Sequence, residues 1–242
     1  MLPYGLPSFV FSPSWFYGFD SIIELIGIVV CGLLVYYSYK CYKLTSEHRY
    51  LYFSTAFLSL TLAFAAKVAG TFAIYTPPIR ESVIGQAVQT TFSALTLSKI
   101  NGVAFLLYIF LTLLGFMILF FIVSKLTWDN KRVIAMLLYF VLVATWLGVI
   151  HYQLFYVTTF AMLSLITLSY FKNVKEVKSK NAKKVAIAFA ILLISHAFFV
   201  FVIYFEIVYV IAEVIQLLGF LFLLVPFISV LRKKPNNFKL VK

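Results

Sequence analysis

The chain has 242 residues, of which 63% are hydrophobic and 12% are charged, and its mean hydropathy is +1.02. A soluble domain has about 45–50% apolar and about 25% charged residues, so this composition excludes a water-soluble globule. Lys and Arg outnumber Asp and Glu by twenty to eight, which gives a net charge of +12. Long stretches of the chain contain no charged residue, which indicates membrane spans.

Seven stretches are long and apolar enough to cross a hydrocarbon core of about 30 Å, which takes about 20 residues of helix. The sequence therefore predicts an all-α, polytopic transmembrane bundle of seven helices in a single domain, 1–242. The turns between helices four and five and between helices six and seven carry no clear charge boundary, so six helices remain an alternative. In chain order the predicted spans are Phe19–Tyr39, Leu51–Tyr75, Gly102–Val123, Val133–Ile150, Leu154–Phe171, Val185–Tyr204 and Glu206–Leu231.

The basic residues predict the orientation of the bundle. Seventeen of the twenty follow helices one, three, five and seven, while Arg80 and Lys99 lie on the other side and Lys67 lies inside a span. The positive-inside rule then puts the N-terminus outside and the C-terminus in the cytoplasm of a cell whose plasma membrane holds the protein. The predicted connections are an external tail, 1–18, an external loop, 76–101, a cytoplasmic basic loop, 172–184, and a cytoplasmic tail, 232–242.

The basic excess is therefore explained by orientation and by contact with anionic lipids at the cytoplasmic face. We expect no nucleic-acid partner, because the longest cytoplasmic segment is too short to form a basic domain. In the external loop, the stretch Glu81–Leu97 is rich in Ser, Thr, Gln and Ala and predicts a short surface helix over the mouth of the bundle.

Polar residues inside the spans are the candidate functional residues, because lipid cannot hydrate an ionised group. Four of them occur on helix seven at spacings of three, four and three residues, which places them on one helical face. Helix one carries two acids one turn apart, helix two a lysine in its outer half, and helix six a histidine near mid-depth. The candidate ligand- or ion-binding residues are Asp20, Glu24, Lys67, His196, Glu206, Tyr209, Glu213 and Gln216.

The central hypothesis is that Glu24, Lys67 and Glu213 form a coupled cluster that lines an outward-facing polar cavity, with His196 at its floor. It requires helices one, two and seven to be adjacent. One lysine neutralises one carboxylate, so the second must be protonated, solvated or occupied by a cation or a ligand amine. The alternative is structural, because paired charges and small-residue faces also hold helices together in lipid.

Several function classes are excluded by missing residues. Retinal binding needs a Schiff-base lysine on helix seven and usually an acid on helix three, and this chain has neither. Transmembrane haem needs histidine pairs at matching depths, whereas the three histidines here lie at three different levels. HExxH, GxSxG and P-loop motifs are absent from the sequence. We therefore expect no enzyme activity, no catalytic residues, no metal and no cofactor.

One stretch, Lys40–Phe57, reads KCYKLTSEHRYLYFSTAF. It resembles the first cytoplasmic turn and second helix of seven-helix modules in archaeal and bacterial membrane proteins, including the sensory N-terminal regions of some histidine kinases. The resemblance implies a sensing bundle. Members of that family carry a cytoplasmic effector domain, so it also implies that a signal from this chain passes to a separate protein partner.

These observations together predict an integral membrane protein that binds a small ligand or senses its environment and acts through a cytoplasmic or membrane partner. The first alternative is a transporter or channel for a small solute, a proton or a cation. The second alternative is a structural or assembly subunit of a membrane complex.

Overall fold

The structure is a computed structural model that describes residues 12–16, 18–74, 94–124, 131–177 and 180–232. In these ranges the chain forms one turn of 3-10 helix, Ser14–Phe16, and seven α-helices, each with a stretch long and apolar enough to cross a membrane. The prediction of an all-α, seven-helix bundle is confirmed, and the six-helix alternative is wrong. The helices are α1 (Phe19–Thr45), α2 (His48–Ile74), α3 (Ala94–Val123), α4 (Lys131–Ile150), α5 (Tyr152–Val177), α6 (Lys180–Val200) and α7 (Glu206–Arg232).

Several helices extend beyond the predicted spans. α3 begins at Ala94 instead of Gly102, and α5 and α6 continue through most of the predicted basic loop, to Val177 and from Lys180. Charged residues end an apolar stretch without ending a helix, because lysine is itself a good helix former. The surface helix predicted in the external loop falls on residues 81–93, outside the described residues, and on the first turn of α3. The predicted terminal tails also lie largely outside the described residues.

Short connections make α1 and α2, and α4 and α5, antiparallel neighbours. Between α1 and α2 the chain turns at Ser46, whose φ of 56° is left-handed and whose N–H donates to the Tyr42 carbonyl at 2.8 Å. Between α4 and α5 only His151 lies outside the helices, and its N–H donates to the Leu147 carbonyl at 2.8 Å. The α4–α5 turn is tight and carries no Lys, Arg, Asp or Glu, which explains why this boundary is indistinct in the sequence.

Six of the helices pack in a closed ring in the order α1, α2, α3, α5, α6 and α7. α4 packs on the outside of this ring, against α3 and α5. Its surface is the most exposed, with Met136, Tyr139 and Trp146 each about two-thirds exposed or more. In a bilayer these apolar side chains face lipid, so α4 lies at the periphery and the other six helices surround the interior.

The helices of the ring approach closely where small residues meet large ones. A Cβ added to Gly219 on α7 would lie 2.7 Å from Leu192 Cδ2 on α6, and one added to Gly115 on α3 would lie 3.0 Å from Leu60 on α2. Small residues let helices come together in lipid, where no hydrophobic drive favours their association. The two glycines therefore set the separation of α7 from α6 and of α3 from α2.

Serine hydroxyls bridge neighbouring helices at the same interfaces. Ser59 on α2 donates to the Leu111 carbonyl of α3 at 2.8 Å, and Ser195 on α6 donates to the Ala212 carbonyl of α7 at 2.9 Å. Ser54 on α2 donates to the Val35 carbonyl of α1 at 3.1 Å. These bonds fix the register of α1, α2 and α3, and of α6 and α7.

The two ends of the bundle differ in charge. One end, here called the basic end, holds the α1–α2 and α5–α6 connections and the last turn of α7. The opposite end, here called the N-terminal end, holds the start of α1 and the α4–α5 turn. Between the ends the interior is mainly apolar, and Phe64 of α2 meets Phe220 of α7 edge to face at 5.7 Å.

Candidate functional site

Three charged side chains meet inside the bundle near the N-terminal end. Lys67 of α2 lies between Glu24 of α1 and Glu213 of α7, with its Nζ 2.8 Å from Glu24 Oε1 and 2.5 Å from Glu213 Oε1. The side chains of Lys67, Glu24 and Glu213 are 6%, 1% and 2% exposed. We call these three residues the triad. It connects α1, α2 and α7, which the sequence analysis required to be adjacent.

The two carboxylates of the triad are bound differently. Lys67 donates an aligned hydrogen bond to Glu213 Oε1. Its contact with Glu24 Oε1 is an ion pair at hydrogen-bond distance that lacks the angle of a hydrogen bond, and Glu24 Oε2 is also buried with no hydrogen-bond partner among the described residues. Glu213 is thus the main partner of the amine, and Glu24 has an acceptor oxygen to spare.

Two aromatic rings complete the surroundings of the amine. Lys67 Nζ lies 5.6 Å from the ring centroid of Tyr108 on α3 and 5.4 Å from that of Tyr209 on α7. A cation within about 6 Å of a ring face is attracted to its π electrons. Tyr209 is among the candidate residues predicted from the sequence, and Tyr108 is not. The one feature of the sequence that points to Tyr108 is its position seven residues after Asn101, because this spacing puts both residues on the same face of α3.

The charges of the triad do not cancel. Two carboxylates and one ammonium carry one net negative charge when all three are ionised. A buried charge is costly unless it is paired and hydrogen-bonded, and a carboxylate oxygen without a donor adds to that cost. One further positive charge would neutralise the triad. Glu24 is the carboxylate that would receive it, because its Oε2 has no hydrogen-bond partner among the described residues.

Asp20, one turn before Glu24 on α1, binds the backbone at the start of the helix. Its side chain is buried, and its Oδ1 accepts hydrogen bonds from the backbone N–H groups of Gly18 at 3.1 Å and Ser21 at 2.7 Å. Gly18 has a φ of 90°, which favours glycine, so the chain turns sharply into the helix there. Asp20 caps the first turn of α1, where backbone N–H groups lack helical partners.

His196 lies deeper in the bundle than the triad. It is buried on α6, its Nδ1–H donates to the Leu192 carbonyl at 3.0 Å, and its ring meets Phe116 and Phe199 edge to face. The ring of Phe199 in turn meets Tyr209 at 5.9 Å. Aromatic rings therefore stand between the histidine and the amine, where the sequence analysis expected a cavity floor.

Of the four polar residues predicted on one face of α7, three are buried and one is exposed. Tyr209, Glu213 and Gln216 are buried, whereas Glu206 is exposed. Glu206 is the first residue of α7, beyond the packed part of the bundle. It therefore stays in the aqueous or interfacial layer, and Gln216 lies one turn further into the bundle than Glu213.

Within the described residues, no group of three or more His, Cys, Asp or Glu side chains is arranged to hold a metal ion. The triad itself offers two carboxylates and an amine, and hard cations need about six oxygen ligands. A proton requires only one free carboxylate oxygen, so it fits the spare position on Glu24 better than a metal ion does.

Comparison of the chain with protein-family models, with curated proteins and with solved structures finds no match.

Proposed function

We propose that this integral membrane protein is a proton-responsive sensing module, in which the triad takes up or releases one proton and thereby changes the packing of α1, α2 and α7. The observation that supports the proposal is that Lys67 is shared by two buried carboxylates, while Glu24 Oε2 lacks a hydrogen-bond partner among the described residues. The surplus carboxylate is the group on which a proton removes a buried charge.

The mechanism follows from the three helices that the triad connects. With Glu24 ionised, the ammonium of Lys67 attracts α1 as well as α7. With Glu24 protonated, the attraction to α1 is reduced to a dipolar contact, while the hydrogen bond to Glu213 remains. The proton therefore changes the balance between the α1–α2 and α2–α7 contacts, which is a two-state element of the kind that sensors require.

The orientation gives this response a direction. We place the basic end in the cytoplasm on the positive-inside rule, so that the triad lies in the outer half of the membrane. Protons would then reach it from the outside, and the helix ends at the basic face would transmit the change to a separate protein partner. Plasma-membrane location and the partner are parts of the same proposal.

The test is a distance measurement as a function of pH. Spin labels are attached at Leu44 on α1 and Leu218 on α7, both exposed, in the full chain reconstituted in nanodiscs, where the native cysteines are buried. We expect the distance distribution to shift between acid and alkaline pH, and Glu24→Gln to abolish the shift. Asp20→Asn, which changes a carboxyl one turn away on the same helix, is the control and keeps it. A wild-type distance that does not depend on pH contradicts the proposal.

A structural role is the second candidate. It is favoured by the burial of Lys67 and by its direct contact with both carboxylates, which is also what an ion cluster that only joins three helices requires. This candidate predicts helix distances that do not change with pH. A transporter would differ from both by proton flux in liposomes that depends on Glu24.

A further inference from the structure

A second site lies at the opposite end of the bundle from the triad. A cavity of about 180 Å³ opens at the basic end, between α2 and α7 on one side and α5 and α6 on the other. Phe53, on its wall, is fourteen residues from Lys67 along α2, which is about 21 Å of helix. The cavity is therefore separate from the triad, and the apolar interior lies between them.

The walls of the cavity suit an apolar group. Four aromatic side chains, Tyr50, Phe53, Tyr170 and Phe227, contribute to them, and Phe53 meets Phe227 edge to face at 5.9 Å. A dry cavity of about 150 Å³ holds a benzene molecule, so this one takes an apolar group of about six to eight carbons. A long acyl chain is too large to be enclosed.

One polar group of a wall residue is buried without a hydrogen-bond partner among the described residues. The hydroxyl of Tyr170 is buried and makes no hydrogen bond to the described residues. Its ring is stacked on Phe189, with centroids 4.8 Å apart and planes 11° apart, so packing holds the side chain in place. A buried hydroxyl without a partner costs about 1–3 kcal/mol. A ligand with a hydrogen-bond acceptor would remove that cost once the side chains that cover the hydroxyl move aside.

Two basic residues lie within one helical turn of residues that line the cavity. Asn181 lines the cavity, and Lys184 lies three residues later on the same face of α6, where it is half-buried. Arg49 lies one turn before Phe53 on α2. The nearby acid Glu47 is exposed, so the two basic groups outnumber it at this rim. The charge complements an anionic head group.

We propose that this cavity binds a small amphipathic anion, namely a carboxylate that carries a medium-length alkyl chain or a single aromatic ring. The apolar part occupies the aromatic walls, the Tyr170 hydroxyl donates a hydrogen bond to the carboxylate, and Lys184 and Arg49 balance its charge. A phospholipid presents the same chemistry, but its chains exceed the cavity. The site is independent of the triad, so its test leaves the proposed function unaffected.

The experiment is calorimetric titration of octanoate into the full chain in nanodiscs of zwitterionic lipid. Octanol, which has the same chain without the charge, measures partitioning alone. Ala182→Leu fills the cavity, and Ala161→Leu makes the same change at an exposed position of α5 that does not line it. Tyr170→Phe removes only the hydroxyl, and Lys184→Gln removes only the charge.

We expect saturable binding of octanoate and at least about tenfold weaker binding of octanol, since a hydrogen bond to a charged group is worth about 1.5–3 kcal/mol. Ala182→Leu should abolish the binding, Ala161→Leu should preserve it, and Tyr170→Phe and Lys184→Gln should each weaken it severalfold. Equal binding of octanoate and octanol, or equal binding by the two leucine variants, would overturn the proposal. Loss of octanoate binding when anionic phospholipid replaces the zwitterionic lipid would show that a lipid occupies the cavity and would also overturn the proposal.

Discussion

Lys67 of α2 and Glu213 of α7 are 146 residues apart in the chain, and their side chains form a 2.5 Å hydrogen bond inside the bundle. Glu24 of α1 lies on the other side of the same amine at 2.8 Å. A single ammonium group thus connects the first two helices with the last one, and its removal should affect all three.

The first prediction concerns the amine. Lys67→Met leaves two buried carboxylates without a cation, and breaking a buried ion pair on one side costs about 3 kcal/mol or more. We expect a lower free energy of unfolding and a lower melting temperature, measured in nanodiscs. Adding Glu24→Gln and Glu213→Gln to Lys67→Met removes the uncompensated charges and should recover most of the loss. If Lys67→Met alone is as stable as the wild type, the triad contributes nothing to the stability of the fold.

The second prediction separates His196 from the triad. His196→Phe keeps an aromatic ring between Phe116 and Phe199 and loses only the hydrogen bond to the Leu192 carbonyl, which is worth about 1 kcal/mol. We expect a small loss of stability and an unchanged shift of the α1–α7 distance with pH. If the folded variant loses that shift, His196 is part of the proton site, and the aromatic rings between His196 and Lys67 do not isolate it.

The third prediction tests the approach of α6 to α7. Gly219→Ala would place a methyl group 2.7 Å from Leu192 Cδ2, so the helices must separate or the leucine must move. Overpacking of this kind costs about 1–3 kcal/mol. Gly32→Ala, on α1 with open space around it, is the matched control and should be neutral or slightly stabilising. Leu192→Ala should relieve the clash in Gly219→Ala, and equal stability of the two alanine variants would contradict the close contact.

The fourth prediction concerns orientation. Cysteine introduced at Glu206, at the N-terminal end, should react with a membrane-impermeant maleimide added to intact cells that express the protein. Cysteine introduced at Glu47, at the basic end, should react only after the cells are opened. Both positions are exposed and the native Cys31 and Cys41 are buried, so background labelling should be low. The reverse pattern would place the triad in the cytoplasmic half and the cavity in the outer half.

The seven helices were predictable because each span needs an apolar stretch, and the stretches are visible in the sequence. The ends of the helices were less predictable. α5 continues through Lys172 and Lys175 to Val177, because a charge marks the membrane boundary and leaves helix formation unaffected. Hydropathy therefore locates spans better than it locates the first and last residues of helices.

For the candidate site, Glu24, Lys67 and Glu213 stood out because charges are rare within spans. Their distances along the helices from the outer ends predicted that all three lie in the outer half. The sequence could not indicate how the amine divides between the carboxylates, since that depends on angles of a few side chains. It also missed Tyr108, because one tyrosine among sixteen carries little information until the packing of α3 against α2 is known. The role of Asp20 as a helix cap likewise depends on the backbone turn at Gly18.

In the proposed mechanism, Glu24 holds the exchangeable proton of the triad. The most direct measurement is an infrared difference spectrum between acid and alkaline pH for the full chain in nanodiscs. We expect one carbonyl stretching band of a protonated carboxyl group that is absent in Glu24→Gln and retained in Asp20→Asn. The absence of such a band in the wild type, or its persistence in Glu24→Gln, would contradict the account.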